Sequence, residues 1–371
     1  MKINNDTRAF LALLRAGLWE SEVQLSQFEK NNYQEIFRLA EEQSVVGLVA
    51  AGIDHIIDMN IPHEIKMQFV GSSLQLEKQN MSMNIFVADL IEKLRKEDVY
   101  AILVKGQGIA QCYERPLWRA PGDVDLLLSN ENYKKAKMFL MPIADTVEKE
   151  YCSFKHIGLV MNGDYVVELH GTLHSRLSRR VDRGLDEVQK DVFYNGNVRS
   201  WTNEKTTVFL PSYDNDVIFV FTHILHHFYV EGIGLRQICD WCRLIWTYRD
   251  SYNVELLHKR LCKMGLMSEW RAFAALAVEW LGMPVEAIPL YSPKRKWSCK
   301  AKRIIGHVLK MGNFGHNRKK DHSNNYLSGK VKSTGRKIKD FGHHISVFPF
   351  ESIRFFCYFL VDGIKAAHRG E

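Results

Sequence analysis

Between Tyr100 and Gly171 the chain changes periodicity, and that change constrains the fold more than any other feature. On either side apolar residues recur every three or four positions, the spacing of helices that bury one face. Inside the window they come as short runs stopped by glycine or polar clusters: "VYAILVKG", "DVDLLLS" and "SFKHIGLVMNGDYVVELHG". The first reads as a buried strand ended by Gly106 and the second as another strand. The third reads as two strands joined at Asn162-Gly163, a hairpin-turn dipeptide. "QGIAQCYER" reads as a short helix, and "NENYKKAKMFL" as a second one with Asn130 as its N-cap. The expected fold is α+β, with an N-terminal helical region at 1–97, a small α/β core at 98–210 and a C-terminal helical domain at 211–371.

The flanks support this division. Helical spacing covers Thr7 to Glu20, Tyr33 to Ala51 and His63 to Lys96, and it returns after Asp214 through "FTHILHHF", "LRQICDWCRLIW" and "SEWRAFAALAVEWLG". "ISVFPFESIRFFCYFLVDGIKAAH" reads as one last apolar helix packing back on that part. With 371 residues and 46% hydrophobic content the chain can bury two cores. Its seven cysteines, odd in number and scattered through apolar segments, do not form a disulfide framework. Cys239 and Cys242 lie on one helical face and read as packed thiols. The opening residues read as an amphipathic helix, not a signal peptide, and no apolar run approaches the roughly 20 residues that span a bilayer. A soluble, cytoplasmic protein without a membrane span is expected.

Charge is unevenly distributed. Residues 293–340 carry fifteen Lys or Arg against two Asp, a net of +13 in a chain whose total is +7. Such a segment suits a polyanion such as RNA, and equally a solvated loop.

Chemistry concentrates in "KGQGIAQCYERPLWRAPGDVDLLL". Residues two apart on a strand point the same way, so Asp123 and Asp125 project together. Paired carboxylates repel, and a shared divalent cation is the simplest compensation. Lys105-Gly106, where a strand meets a helix, would let phosphate approach backbone N–H groups. Arg115 and Arg119 sit in the connection to the aspartates and could pair with phosphate oxygens. In "YVVELHG" alternation puts Glu168 and His170 on one face, a third carboxylate beside an imidazole able to orient a ligand. His156 lies in the preceding strand. His223 and His227 share a helical face, but without an H-E-x-x-H glutamate they read as packing. Arg236 and Asp240 read as a structural ion pair at helical spacing.

These motifs resemble the nucleotidyltransferase superfamily that includes DNA polymerase β, and more narrowly a bacterial group of nucleotidyltransferase family proteins. The resemblance covers about residues 85 to 250. It implies a mixed-sheet nucleotidyltransferase core in which Asp123, Asp125 and Glu168 hold Mg²⁺ or Mn²⁺ and carry the catalysis. It further implies that Lys105, Gly106, Gln107, Arg119 and His170 bind the nucleotide. The substrates would be an NTP, ATP in first place, and an acceptor hydroxyl, with pyrophosphate as leaving group. The chain departs from the superfamily's pattern in reading Lys-Gly-Gln-Gly for the usual Gly-Ser, in the sixteen residues between Gly106 and Asp123, and in having Glu168 for the commoner Asp. Two other readings use nearly the same residues: a non-catalytic nucleotide- or RNA-binding regulatory protein, and a phosphotransferase that moves the γ-phosphoryl group.

Overall fold

The computed structural model describes residues 4–28, 31–151, 155–230, 232–315 and 341–369. Its strands are β1 (Ala101–Val104), β2 (Val124–Leu128), β3 (Thr146–Val147), β4 (His156–Met161), β5 (Tyr165–His170), β6 (Val198–Asn203) and β7 (Thr206–Pro211). They form one mixed sheet in the order β3-β4-β5-β2-β1-β7-β6. β1 and β2 run antiparallel at the centre, and each has a parallel outer neighbour, β7 and β5 respectively. The fold is α+β, as the alternation of textures predicts.

The helices are α1 (Asn5–Trp19), α2 (Tyr33–Glu42), α3 (Val46–Asp54), α4 (His63–Lys96), α5 (Gly106–Ala110), α6 (Asn130–Leu140), α7 (Arg179–Tyr194), α8 (Tyr213–Val230), α9 (Leu235–Thr247), α10 (Val254–Met264), α11 (Met267–Leu281), α12 (Arg295–Met311), α13 (341–347) and α14 (Pro349–Arg369). β1 and β2 are buried at every position. Helices cover both their faces, which is why they read as unbroken apolar runs. On one face Leu103, Val124, Leu126 and Leu169 pack with Phe86 and Leu90 of α4 and Leu140 of α6. On the other, Ile102, Val104 and Leu127 join the core of the helical body. Helices from before and after the sheet share that body: Phe10 of α1, Phe221 of α8, Trp241 of α9 and Phe273 of α11 lie in one cluster. α1 and α3 touch backbone to backbone. A Cβ on Gly17 would stand 1.8 Å from the Leu48 carbonyl oxygen, and one on Gly52 2.0 Å from that of Leu13.

Asn162 and Gly163 join β4 to β5 with φ of 51° and 80°, the left-handed pair the hairpin dipeptide predicts. Several boundaries differ from expectation. Tyr33 to Ala51 is two helices, because the chain turns at Ser44 (φ 54°) and buried Gln43 spends its amide on Leu235 N and Val308 O. Ser129, not Asn130, caps α6, its hydroxyl accepting from Asn132 N at 3.3 Å. The terminal apolar stretch breaks into α13 and α14 before Pro349, whose missing N–H and fixed φ suit a helix start. α7 and the β6–β7 hairpin, which sets β7 beside β1, were not expected from sequence. Residues 316–340, most of the basic segment, lie outside the described residues. No helix among the described residues is long and apolar enough to cross a membrane.

Candidate active site

The sheet face opposite α4 is not covered everywhere. Where β2, β5 and β4 lie side by side, α8 stands off and leaves a cavity of about 500 Å³, within the roughly 300–1,000 Å³ usual for small-ligand sites. Strand alternation decides what faces it. Val124 and Leu126 of β2, Val167 and Leu169 of β5 and Ile157 and Leu159 of β4 point into the α4 core. Asp125, Glu168, His170 and His156 are thereby left on the cavity side, with Asp123 just ahead of β2. Asp125 pairs with Glu168 in the parallel β2–β5 register, so the carboxylates meet through backbone pairing instead of flexible side chains.

The electrostatics are set by three carboxylates at close quarters, with Lys105, His170 and Arg236 as positive groups beside them. Burial first, then repulsion from Glu168 and Asp125, pushes the Asp123 carboxyl up to about 6. Lys105 supplies the nearest counter-charge, its Nζ 2.7 Å from Asp125 Oδ1. It does so from a strained position: φ is 58° and ψ is −149° at the β1–α5 junction, a conformation a side chain rarely takes. Gly106 follows at φ 44°, and a Cβ there would come within 3.2 Å of the Asp123 carbonyl oxygen. Lys-Gly is thus the hinge that brings the end of β1 against the start of β2. Because α5 has only five residues, the positive charge here comes from the lysine side chain more than from a helix dipole.

Two imidazoles complete the sheet side. His170 Nε2 lies 2.9 Å from Asp125 Oδ1 and 3.3 Å from Glu168 Oε2, and His156 Nε2 lies 3.2 Å from that same Glu168 oxygen. Burial opposes charge on His170, but the hydrogen bonds to Asp125 and Glu168 outweigh it and raise its pKa. Burial likewise works against the Glu168 carboxylate, and the bonds from His156 and His170 overcome it and hold the carboxyl well below its usual range. Facing them across the cavity is α8. His223 Nε2 is 3.5 Å from Lys105 Nζ and 3.0 Å from His227 Nε2, and His226 Nδ1 donates to the Ser175 carbonyl at 2.6 Å. Burial, then the Lys105 charge, drives His223 well below the ordinary histidine range, so it is a neutral wall.

Other sequence candidates divide. Gln107 is buried and donates to Asn84 Oδ1 of α4 at 2.7 Å, away from the cavity lining. Arg115 pairs at the surface with Asp54 and Glu20. Arg119 borders the cavity, yet its guanidinium is held in a buried two-pronged pair with Asp240, at 2.8 Å on each side. Asp240 is thus held by a residue 121 positions away, while Arg236, its expected i, i+4 partner, feels its charge. Arg236 donates instead to the carbonyls of Ala120 and Pro121 at 3.2 and 2.7 Å, clamping the loop that delivers Asp123. That positioning role, and the place of His156 opposite His170 in the β4–β5 register, are legible only once strands and helices are assembled.

A mixed sheet whose neighbouring strands turn three carboxylates and a lysine toward one cavity defines an α+β protein with a charged cleft. A family model described as uncharacterised nucleotidyltransferase matches residues 29–282, and the chain belongs to that family. The match spans the whole sheet and the helices that wall the cavity. No curated protein and no solved structure matches the chain.

Proposed function

We propose that the protein transfers a nucleoside monophosphate from an NTP, ATP in first place, to an acceptor hydroxyl and releases pyrophosphate. The observation that carries this reading is the convergence of Asp123, Asp125 and Glu168 on a cavity of nucleotide-compatible size, with Lys105 against Asp125. The donor set fits Mg²⁺ or Mn²⁺: carboxylate oxygens two residues apart at the start of one strand and opposite one another on paired strands, with the Asp123 anion made unfavourable by burial first and then by its neighbours. Asp123 and Asp125 would hold the ion, with Glu168 as the third carboxylate. When bound, the ion neutralises triphosphate charge and lowers the pKa of the acceptor hydroxyl.

This chain's own groups account for the remaining steps. Glu168, kept ionised by His156 and His170, accepts the hydroxyl proton. The acceptor oxygen then forms a bond to the α-phosphorus, the bond from that phosphorus to the β-phosphate oxygen breaks, and pyrophosphate leaves with the electron pair. Lys105 exchanges Asp125 for phosphate oxygens, and Arg236 holds the loop that orients Asp123. Arg119 acts by bracing Asp240 near the cavity edge. The free cysteines among the described residues suit a reducing compartment, in keeping with a cytoplasmic enzyme, and the basic segment at 293–340 offers a polyanionic acceptor such as RNA a place to bind.

Incubating the protein with NTP labelled at the α- or the γ-phosphate, together with a cell extract as acceptor source, tests the reaction class. α-label moving into product with pyrophosphate release is expected. γ-label moving instead would make the protein a phosphotransferase, and movement of neither would favour the non-catalytic reading.

A further inference from the structure

The cavity holds more nitrogen donors than a magnesium site uses. His156 and His170 are direct cross-strand partners in the β4–β5 register, and Glu168 precedes His170 by two residues on the same face. Both imidazole Nε2 atoms converge on one oxygen, Glu168 Oε2, at 3.2 and 3.3 Å, and the two rings lie 4.8 Å apart. Among the described residues this is the group of three His, Cys, Asp or Glu whose donor atoms all lie within 4.8 Å of one another. The three are half-buried and open to the cavity.

Donor spacing and donor type then limit which ion fits. Two ligands about 2.1 Å from one metal, at the angles of octahedral or tetrahedral coordination, stand about 3.0–3.4 Å apart. The two His–Glu168 separations, 3.2 and 3.3 Å, fall in that interval, the two imidazole nitrogens lie within 4.8 Å of each other, and strand pairing sets the arrangement at little cost. Mg²⁺ seeks oxygens and keeps its waters, whereas imidazole favours zinc and its neighbours in the first transition row. Two histidines and one glutamate, with a further position free for water or substrate, is a donor set that Zn²⁺ accepts in catalytic centres.

We propose that His156, Glu168 and His170 form a Zn²⁺ site that shares Glu168, and no other carboxylate, with the Asp123–Asp125 ion site, its open position facing the cavity. The inference rests on the nucleotidyltransferase reading only for what a bound ion would touch, a phosphate or acceptor oxygen. Whether the ion binds is independent of it. The rival account of the same distances is a pair of N–H···O hydrogen bonds to Glu168 that no metal displaces.

The test is a competition titration of the full chain, stripped with chelator, using Zn²⁺ against a chromogenic zinc indicator in millimolar Mg²⁺. One equivalent of Zn²⁺ per chain is expected to remain bound despite the Mg²⁺. Affinity should fall by more than about tenfold in His156→Gln and persist in Asp123→Asn. X-ray absorption at the zinc edge of the wild-type protein should count two imidazoles, which keeps the inference falsifiable if His156→Gln folds poorly. Loss of zinc to Mg²⁺, an unchanged affinity in His156→Gln, a loss in Asp123→Asn as large as in His156→Gln, or a first shell without imidazole would each overturn it. Failure of nucleotide binding in Asp123→Asn, with zinc retained, would bear on the proposed function alone.

Discussion

Two Asp–cation pairs lie near the cavity, and their difference separates scaffold from site. Arg119 and Asp240 form a closed pair: two bonds at 2.8 Å, a third to Asp240 from the Tyr113 hydroxyl at 2.7 Å, and side chains only 5% and 7% exposed. Asn80 of α4 locks the approach by donating to the Leu117 and Arg119 carbonyls at 2.8 and 2.9 Å. Lys105 and Asp125 form an open one: Asp125 takes Lys105 Nζ at 2.7 Å and His170 Nε2 at 2.9 Å while Asp123 and Glu168 stand beside it, and the whole group borders a cavity. In the closed pair each charge is spent on the other, although both residues also border the cavity. In the open pair three carboxylates crowd one wall of a cavity, where an entering cation would relieve the repulsion that raises Asp123.

Breaking the closed pair should have the largest effect on stability. Arg119→Ala leaves Asp240 buried with only the Tyr113 hydroxyl bond and the neighbouring Arg236 charge, and a loss of about 3–5 kcal/mol in denaturant unfolding is expected. Arg119→Lys should recover little of it, since an ammonium cannot reproduce the two-pronged contact. A loss below about 1 kcal/mol would mean that the pair is not a structural brace.

A third buried carboxyl sharpens the comparison because it has no such partner. Burial, then repulsion from Glu351, outweighs the attraction of Lys300 and Arg180 and pushes Glu269 up to about 8. Its ordinary value is 4.5, so between these pH values the folded state keeps a proton that the unfolded state has released. Stability should therefore fall as pH rises through that window, by on the order of a few kcal/mol, and level off above it. Unfolding curves of Glu269→Gln across the same range should lack this slope, and an unchanged slope would assign it to other groups.

Opening the open pair further should cost less. Lys105→Met leaves Asp125 its His170 bond, so about 1–2 kcal/mol is expected from thermal or denaturant unfolding, with a loss of nucleotide affinity larger than the stability change implies. Smallest of all is Tyr113→Phe, which removes one of three bonds to Asp240 and should cost about 1 kcal/mol.

Local chemistry made much of this legible. The Asp123–Asp125 spacing, the Lys105-Gly106 junction, the Asn162-Gly163 turn and the alternation that aims Glu168 and His170 are properties of consecutive residues, and the structure brings those side chains to one cavity. What escaped depends on residues far apart. Arg119 reads as a phosphate ligand until α9 brings Asp240 to it, and Gln107 reads as nucleotide-facing until α4 offers Asn84. His156 gains its meaning from strand register. The break at Ser44 follows from a buried Gln43 that bonds to α12 and to the start of α9, contacts that no helical periodicity encodes.

On the function proposed here, the open pair is a cation-dependent nucleotide site. Calorimetric titration of ATP, GTP, CTP and UTP, with and without Mg²⁺, into the wild-type protein and into Asp123→Asn/Asp125→Asn tests it most directly. Binding that needs both the ion and the aspartates, and that disappears in the folded double variant, is the predicted result. Nucleotide binding that ignores the ion and the substitutions, or no binding by the wild-type protein, would contradict it.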